Sequence, residues 1–362
     1  MKVAVFGLGY VGLVSAACMA EANHDVIGVE VSQEKVDYIM NGKSPVSEPG
    51  LQPLVERGVS SGRLRATIDA SEAVKVSEVL MVCVGTPSTV TGNIDLSHIR
   101  EVTRQIGNAI SCIEKWRTVV IRSTVVTNTC RDEVISLLEA TSGRTHGDGF
   151  AVVFYPEFLR EGVAIDDFVS PPQAIIGCCE EAHVERLFEG GLVSRDNCQL
   201  TSLGLAEFIK YANNAWHGLK VGFANEIGSL SKAMGIDGRE VMRILAKETV
   251  LNISPAYLRP GFAFGGSCLP KDLRAINKVS EDYSVSTPLL TSVLQSNDAH
   301  LERCVQKVLA SGATVVGLIG ISFKSDTDDM RESPSLKLAC RLLEEGVIIK
   351  IFIKLKVHMI IT

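Results

Sequence analysis

The opening of the chain constrains it most. The apolar run VAVF leads directly into Gly7-Leu8-Gly9-Tyr10-Val11-Gly12, and the next apolar run closes on Glu30. A bare G-x-G-x-x-G is weak, but one that leaves a strand, opens a helix and is followed by an acidic residue about 20 positions on reads as a dinucleotide-binding βαβ unit. The glycines allow a tight turn and close backbone approach, so a pyrophosphate can sit at the helix N-terminus. Glu30 can accept both ribose hydroxyls and would repel a 2′-phosphate, which predicts NAD over NADP. The alternative is a packing turn without a ligand.

The pattern that follows is α/β. VAVFGLG reads as a strand, Leu13 to Ala22 as a helix, Asp25 to Glu30 as a strand, and Gln33 to Met40 as a helix stopped by Asn41-Gly42. VLMVCVG and TVVIRST read as buried parallel strands ending in Thr86 and Ser88, then Ser123 and Thr124. Those ends face the ligand crevice of an open sheet. A proline-free helical pattern from Gly204 to Met234 would span roughly 45 Å, a length suited to a spine between domains. Along it Lys210, Asn214, His217, Val221 and Asn225 form one polar stripe, with Phe208, Tyr211, Trp216, Leu219, Phe223 and Ile227 mostly elsewhere. A solvated face and a ligand-holding face both fit this stripe, although its charges are few for a solvated one. A strand over Ala313 to Gly320, a helix over Pro334 to Glu345 and a strand over Val347 to Ile353 open a second α/β unit.

Composition narrows the partners. With 362 residues the chain exceeds one ordinary core, so at least two domains are expected. Thirty-six basic against 42 acidic residues, net −6, with no basic run, argues against nucleic acid or an anionic membrane as partner. No signal peptide is legible, and no apolar run approaches the ~20 residues that span a bilayer. Ten cysteines without C-x-x-C or Cys/His spacing predict free thiols in a reducing cytosol and no metal site.

Two further stretches bear on chemistry. In Tyr155-Pro156-Glu157-Phe158-Leu159-Arg160-Glu161 the carboxylates lie four apart around an arginine, which suits a surface i,i+4 arrangement or, at a strand's end, a site. In GFAFGGSCLPKD, a cysteine is most often a small buried hydrophobe. Cys268, however, follows glycines that permit close approach, and precedes a helix expected near Pro270 whose positive end and Lys271 would favour a thiolate. Asp272 could orient a water or take a proton. A reactive thiol beside a nicotinamide site predicts aldehyde oxidation through a thiohemiacetal and a thioester.

FGLGYVG, GKSPVSEPGL, VCVGTPS, RSTV, YPEFLRE, NNAWHGLKVGFANEIG, RPGFAFGGSCLPKD and GISFKSDTDDMRESP occur in this order. Through them the chain resembles the UDP-glucose/GDP-mannose dehydrogenase family from Met1 to about Phe352, with Trp216-His217 and GFAFGGSCLPKD worded as in its GDP-mannose branch. The resemblance implies an α/β fold: a Rossmann-like NAD-binding domain over 1–200, a long central helix with a helical dimerisation domain over 201–300, and an incomplete Rossmann-like nucleotide-sugar domain over 301–362. It implies a four-electron oxidation of GDP-mannose, alcohol to aldehyde to acid, with two NAD per sugar, feeding synthesis of alginate-type uronate polysaccharide; UDP-glucose is the alternative substrate.

Carried over residue by residue, Cys268 would be the nucleophile, and Lys210 and Asn214 would stabilise the alkoxide and oxyanions. Glu161 would touch the sugar and assist thioester hydrolysis, while Thr124 and Asp272 would hold the water used as base and nucleophile. Gly7, Gly9, Tyr10, Val11, Gly12, Glu30, Lys35, Thr86, Thr124, Lys271 and Arg331 would meet NAD. Glu161, Lys210, Asn214, His217, Asn225, Tyr257, Arg259, Phe262 and Gly265 would line the sugar-nucleotide pocket, with Lys324 on its phosphates. A homodimer built on the long helix, each pocket completed by the partner's Arg259 loop, is also implied. Two departures stand out. Glu30 replaces the aspartate of closer relatives, a change that should preserve the NAD preference. Relatives also continue past the final strand, where this chain ends in IFIKLKVHMIIT, read as a cut-short domain with an aggregation-prone segment; the alternative to an active enzyme is a truncated, non-catalytic fragment that binds NAD and dimerises.

Overall fold

The structure is a computed structural model that describes residues 1–233, 235–249, 260–282, 288–324 and 327–352. Tyr257, Arg259 and the tail from Ile353 lie outside the described residues. The chain divides into two compact units, Met1–Lys210 and Tyr211–Thr362.

The first unit alternates strands and helices: β1 (Lys2–Phe6), α1 (Tyr10–Glu21), β2 (Asp25–Val29), α2 (Gln33–Met40), α3 (Leu51–Ser60), β3 (Leu64–Thr67), α4 (Ala70–Val76), β4 (Val79–Val82), α5 (Ser97–Ile110) and β5 (Arg117–Ile121). It continues through α6 (Ser136–Ser142), β6 (Thr145–His146), β7 (Gly149–Phe154), α7 (Ala164–Val169), β8 (Ala174–Gly177), α8 (Glu185–Glu189) and β9 (Cys198–Thr201). The sheet order is β3-β2-β1-β4-β5-β7-β8-β9, with β6 beside β7. All pairings are parallel except the one between β7 and β8. Because β1 lies between β2 and β4, the order reverses there, and the crevice beyond its carboxyl end is where such sheets bind ligands.

Alternate side chains enter opposite layers. Val3 and Val5 pack with Leu13, Val14, Leu54 and Leu187 on one face; Ala4 and Phe6 pack with Ile99, Ile106 and Leu138 on the other. At about 25 cal/mol per Å² of buried apolar area, these two layers are the main stabilising contribution of the unit. The first helix begins at Tyr10, three residues before the boundary read from its apolar pattern. Gly9 caps it, since its carbonyl accepts the Leu13 N–H at 2.9 Å, and capping rather than hydrophobic period sets a helix start.

Helix α9 (Leu203–Ala233) runs through the boundary into the second unit, followed by α10 (Gly238–Leu245), α11 (Leu269–Asp282), α12 (Pro288–Leu309), β10 (Val315–Ile319), α13 (Pro334–Glu344) and β11 (Ile348–Phe352). Ala215, Leu273 and Val293 make a small core among α9, α11 and α12. The parallel pair β10–β11 buries Val316, Leu318 and Ile349 against Val305, Leu338 and Leu342. Its Val315, Ile319, Ile348 and Phe352 are exposed. Among the described residues no helix is long and apolar enough to cross a membrane.

Candidate active site

The glycine loop is built by packing as much as by flexibility. Gly7 has φ +88°, in the left-handed region, and donates its N–H to the Val29 carbonyl at 2.8 Å, which turns the chain off β1. A Cβ on Gly12 would lie 1.8 Å from the Gly7 carbonyl oxygen, so this position presses helix against strand. A Cβ on Gly9 would meet nothing within 4 Å. That leaves an open approach to the first turn of α1, where the N–H groups of Tyr10 and Val11 have no acceptor within the helix. Glu30 is buried at the end of β2, accepts the Leu8 N–H at 3.2 Å and the Val31 N–H at 2.9 Å, and lies 3.7 Å from Lys35 Nζ. An uncrowded helix N-terminus with a carboxylate at the end of the neighbouring strand fits the pyrophosphate and ribose of NAD.

The ends of β4 and β5 are latched to each other. The Thr86 hydroxyl donates to the Thr124 carbonyl at 2.8 Å, and Ser123 Oγ donates to the Val84 carbonyl at 2.7 Å. The following loop is tied to α9, because the buried Glu207 accepts the N–H groups of Asn128 and Cys130. Burial raises the Glu207 carboxyl above its ordinary value, with the two N–H donors opposing that rise.

One turn beyond Glu207, Lys210 Nζ lies 3.0 Å from Glu157 Oε1 and donates to the Glu157 carbonyl at 2.6 Å. Both side chains are under a tenth exposed. Burial pushes the Glu157 carboxyl upward, but the Lys210 charge, its hydrogen bond and the Leu159 N–H outweigh this and hold it below the usual range. The i,i+4 surface reading of YPEFLRE is therefore corrected: residues 155–160 form no helix, and Glu157 turns inward to a lysine 53 positions away. Glu161 is half-buried in the turn that precedes α7.

The solvated-face reading of the stripe on α9 is overturned as well. Lys210, Asn214 and Asn225 are buried, whereas Phe208, Trp216 and Phe223 are 42–43% exposed; His217 is half-buried.

In the second unit Asn214 Nδ2 donates to Asp272 Oδ2, and Lys271 Nζ lies 3.3 Å from Asp272 Oδ1. Asp272 is 1% exposed. Its N–H donates to the Cys268 carbonyl at 2.8 Å, so Cys268 stands at the mouth of α11. The thiol is exposed, not buried as cysteines usually are, with Ser267 Oγ 3.7 Å from its sulfur. All ten cysteines are free thiols, and the described residues contain no cluster suited to a metal ion.

The loop that carries Cys268 is held from two helices. Asn225 accepts the Gly261 N–H at 2.8 Å and donates to the Phe262 carbonyl at 3.2 Å. Asn297 on α12 accepts the Phe264 N–H at 2.8 Å and donates back to its carbonyl at 2.9 Å, while His300 Nε2 lies 2.8 Å from the Gly261 carbonyl. A Cβ on Gly265 would lie 2.2 Å from the Glu332 carbonyl oxygen, and one on Gly266 2.8 Å from the Phe323 ring. Lys324 and Arg331 thus each neighbour a residue that the glycine pair touches. Both are exposed, and Arg331 is paired with Asp329 at 2.9 Å.

Glu157, Glu207, Asn297 and His300 carry no sequence pattern that assigns them a partner. Only the tertiary pairing shows what they hold.

A mostly parallel sheet with this glycine loop and acidic strand end has the features of a dinucleotide-binding oxidoreductase, and the second unit presents an exposed thiol at a helix mouth. Residues 1–189 match the NAD binding domain of the UDP-glucose/GDP-mannose dehydrogenase family, residues 205–299 its central domain and residues 317–352 its UDP binding domain. A GDP-mannose 6-dehydrogenase of Pseudomonas putida is 45% identical over 97% of this chain and 80% of its own length. Among solved structures, a UDP-glucose dehydrogenase from Pyrobaculum islandicum superposes with a TM-score of 0.92 at 33% identity, covering 97% of this chain and 81% of its own. A ternary complex of GDP-mannose dehydrogenase from Pseudomonas aeruginosa gives 0.69 at 45% identity over the same shares. The chain belongs to the UDP-glucose/GDP-mannose dehydrogenase family: it is an NAD-dependent nucleotide-sugar 6-dehydrogenase.

Proposed function

We propose that the chain oxidises the C6 hydroxyl of GDP-mannose to the carboxylate of GDP-mannuronate. The observation that carries this reading is the exposed Cys268 thiol at the mouth of α11, one turn from the buried Asn214–Asp272 pair. The 45% identity to GDP-mannose 6-dehydrogenases favours that sugar nucleotide over UDP-glucose.

NAD, when bound, accepts one hydride at each of the two oxidations. In the first, the C6 hydroxyl gives its proton to a water held by Thr124 and Asp272 and C6 loses hydride, leaving an aldehyde. Lys210 and Asn214 donate to the developing alkoxide. Cys268 sulfur, favoured as thiolate by the helix N-terminus, then forms a bond to C6 and gives a thiohemiacetal. Loss of a second hydride from C6 leaves a thioester. Water attacks it with Glu161 assisting, the C–S bond breaks, sulfur leaves as thiolate, and the acid is released after its proton passes to water.

Gly7, Gly9, Gly12, Tyr10, Val11, Glu30, Lys35, Thr86, Lys271 and Arg331 serve the cofactor. His217, Asn225, Phe262, Gly265 and Lys324 serve the sugar nucleotide, as do Tyr257 and Arg259. In this reading 1–200 binds NAD, 201–300 carries the thiol and the dimer contact, and 301–362 serves the nucleotide. The product would feed uronate-polysaccharide synthesis of the alginate type. Free thiols support a reducing cytosol, and the exposed Phe208, Trp216 and Phe223 along α9 support a homodimer on that helix.

The test is NADH formed per limiting sugar nucleotide. Two NADH per GDP-mannose, little with UDP-glucose, and no acid from Cys268→Ser would support the reading. One NADH per sugar, or acid formation by Cys268→Ser, would overturn it.

A further inference from the structure

Glu48 lies in the loop between α2 and α3 and is 7% exposed. Three donors converge on its carboxylate. The Tyr10 hydroxyl donates to Oε2, the Gly162 N–H to the same oxygen at 2.7 Å, and the Ala164 N–H to Oε1 at 2.8 Å. The Gly162 N–H also lies 3.3 Å from the Tyr10 hydroxyl oxygen. A carboxylate is the one side chain of this size that only accepts; glutamine would turn an NH₂ toward one of these donors and leave it buried without a partner. Gly162 has φ +91°, a conformation that glycine adopts without the cost other residues meet, so the chain can turn sharply after Glu161 and present the N–H groups of Gly162 and Ala164 to one carboxylate. The Glu48 loop also packs on α7, since a Cβ on Gly50 would meet Ile165 Cδ1 at 3.2 Å. Burial and then Glu48 keep the Tyr10 phenol protonated, and Glu161 adds to the same effect from nearby.

Tyr10 opens the cofactor-binding helix, and Glu161 is the residue immediately before the clamped glycine. We propose that Glu48 is a positioning residue: it fixes the Glu161–Gly162 turn to the first turn of α1, and so sets where the Glu161 carboxylate stands for thioester hydrolysis. In that step a water oxygen bonds to C6, the C–S bond to Cys268 breaks, sulfur leaves as thiolate, and the water's proton passes to a carboxylate. The inference rests on the reading of Glu161 given above.

The experiment compares Glu48→Gln, Glu161→Ala and the double variant with the parent chain, using NAD and GDP-mannose. Expected for Glu48→Gln is a burst of two NADH per protomer, hydrolysis slowed about 10–100-fold, as for a misplaced group, and an acyl adduct on Cys268 in the intact mass. The double variant should hydrolyse no more slowly than Glu161→Ala alone, and exchange of the Gly162 and Ala164 amides should quicken. If the two slowings multiply, or if both oxidations slow as much as hydrolysis, Glu48 does not act through Glu161 and the proposal falls. Unchanged amide exchange in an active variant would remove the clamp itself. A parent chain that forms no NADH would instead sink the dehydrogenase reading, while amide exchange still decides the clamp. Should Glu48→Gln not fold, Tyr10→Phe, which deletes one hydroxyl of the clamp, enters the same cycle.

Discussion

Replacing Lys210 with methionine keeps the helix and most of the side-chain volume but leaves the Glu157 carboxylate buried with its cation gone. Breaking one partner of such a pair costs about 3–5 kcal/mol, because the remaining charge has lost its compensation. For a unit of this size, Met1–Lys210, each kcal/mol moves the unfolding temperature by about 2–4 °C, so the fall should be about 6–20 °C. Glu157→Gln on its own removes the carboxylate but keeps the Glu157 main-chain carbonyl as an acceptor for Lys210, so it should cost less than Lys210→Met. The double variant Lys210→Met/Glu157→Gln removes both charges and should recover most of the loss, yet stay inactive, since Lys210 is proposed to stabilise the alkoxide. Calorimetry of the four proteins reads the coupling, and NADH formation reads the activity. Acid adds a check of sign: the folded Glu157 carboxyl lies below its unfolded value, so its stabilisation is full above about pH 4.5 and is lost as pH falls through the folded value. The parent's excess stability over Glu157→Gln should therefore shrink only below about pH 4.5. A loss under about 1 kcal/mol in Lys210→Met, the value of an exposed pair, would refute the reasoning.

Further outcomes follow from other contacts. Gly12→Ala puts a methyl 1.8 Å from the Gly7 carbonyl oxygen and should cost several kcal/mol or prevent folding, read by soluble yield and melting; a normally folded variant would show that the loop yields. Glu30→Ala should weaken NAD by about tenfold or more and narrow its advantage over NADP, read as kcat/KM for each, because the charge that opposes a 2′-phosphate is gone. Asn297→Ala removes both bonds to Phe264 and should lower kcat together with about 1–3 kcal/mol of stability, since a buried N–H and carbonyl lose their partners. On the homodimer proposed above, Trp216→Glu should raise the monomer share in sedimentation, as a charge replaces an exposed ring on α9; an unchanged profile would count against that dimer.

Much of the first unit is written locally. The strand from Lys2, the turn at Gly7 and the helix at Gln33 each follow from apolar period, glycine and cap within a dozen residues, so sequence reasoning reached them. The start of α1 lies three residues ahead of its apolar pattern, because a polar tyrosine follows the Gly9 cap that sets it. The polar stripe on α9 was legible as a stripe, but which way it faces depends on Glu157 and Asp272, each over 50 residues from its partner on the helix. Glu48 lies within GKSPVSEPGL with nothing in its neighbourhood to name its role, since its three donors come from the chain's beginning and from residues more than 100 positions on. Pairings of that range are set by packing and leave no period behind.

The single unbroken run of α9 has a consequence for what changes the chain can tolerate in descent. Lys210 and Asn214 sit four residues apart on one helix, and each added residue turns everything after it by about 100° and advances it about 1.5 Å. One inserted or deleted residue between them would aim the lysine and the amide in different directions. Substitutions along this segment can be sampled one at a time, but its length cannot drift. The spacing from Lys210 to Asn214 counts as a fixed interval.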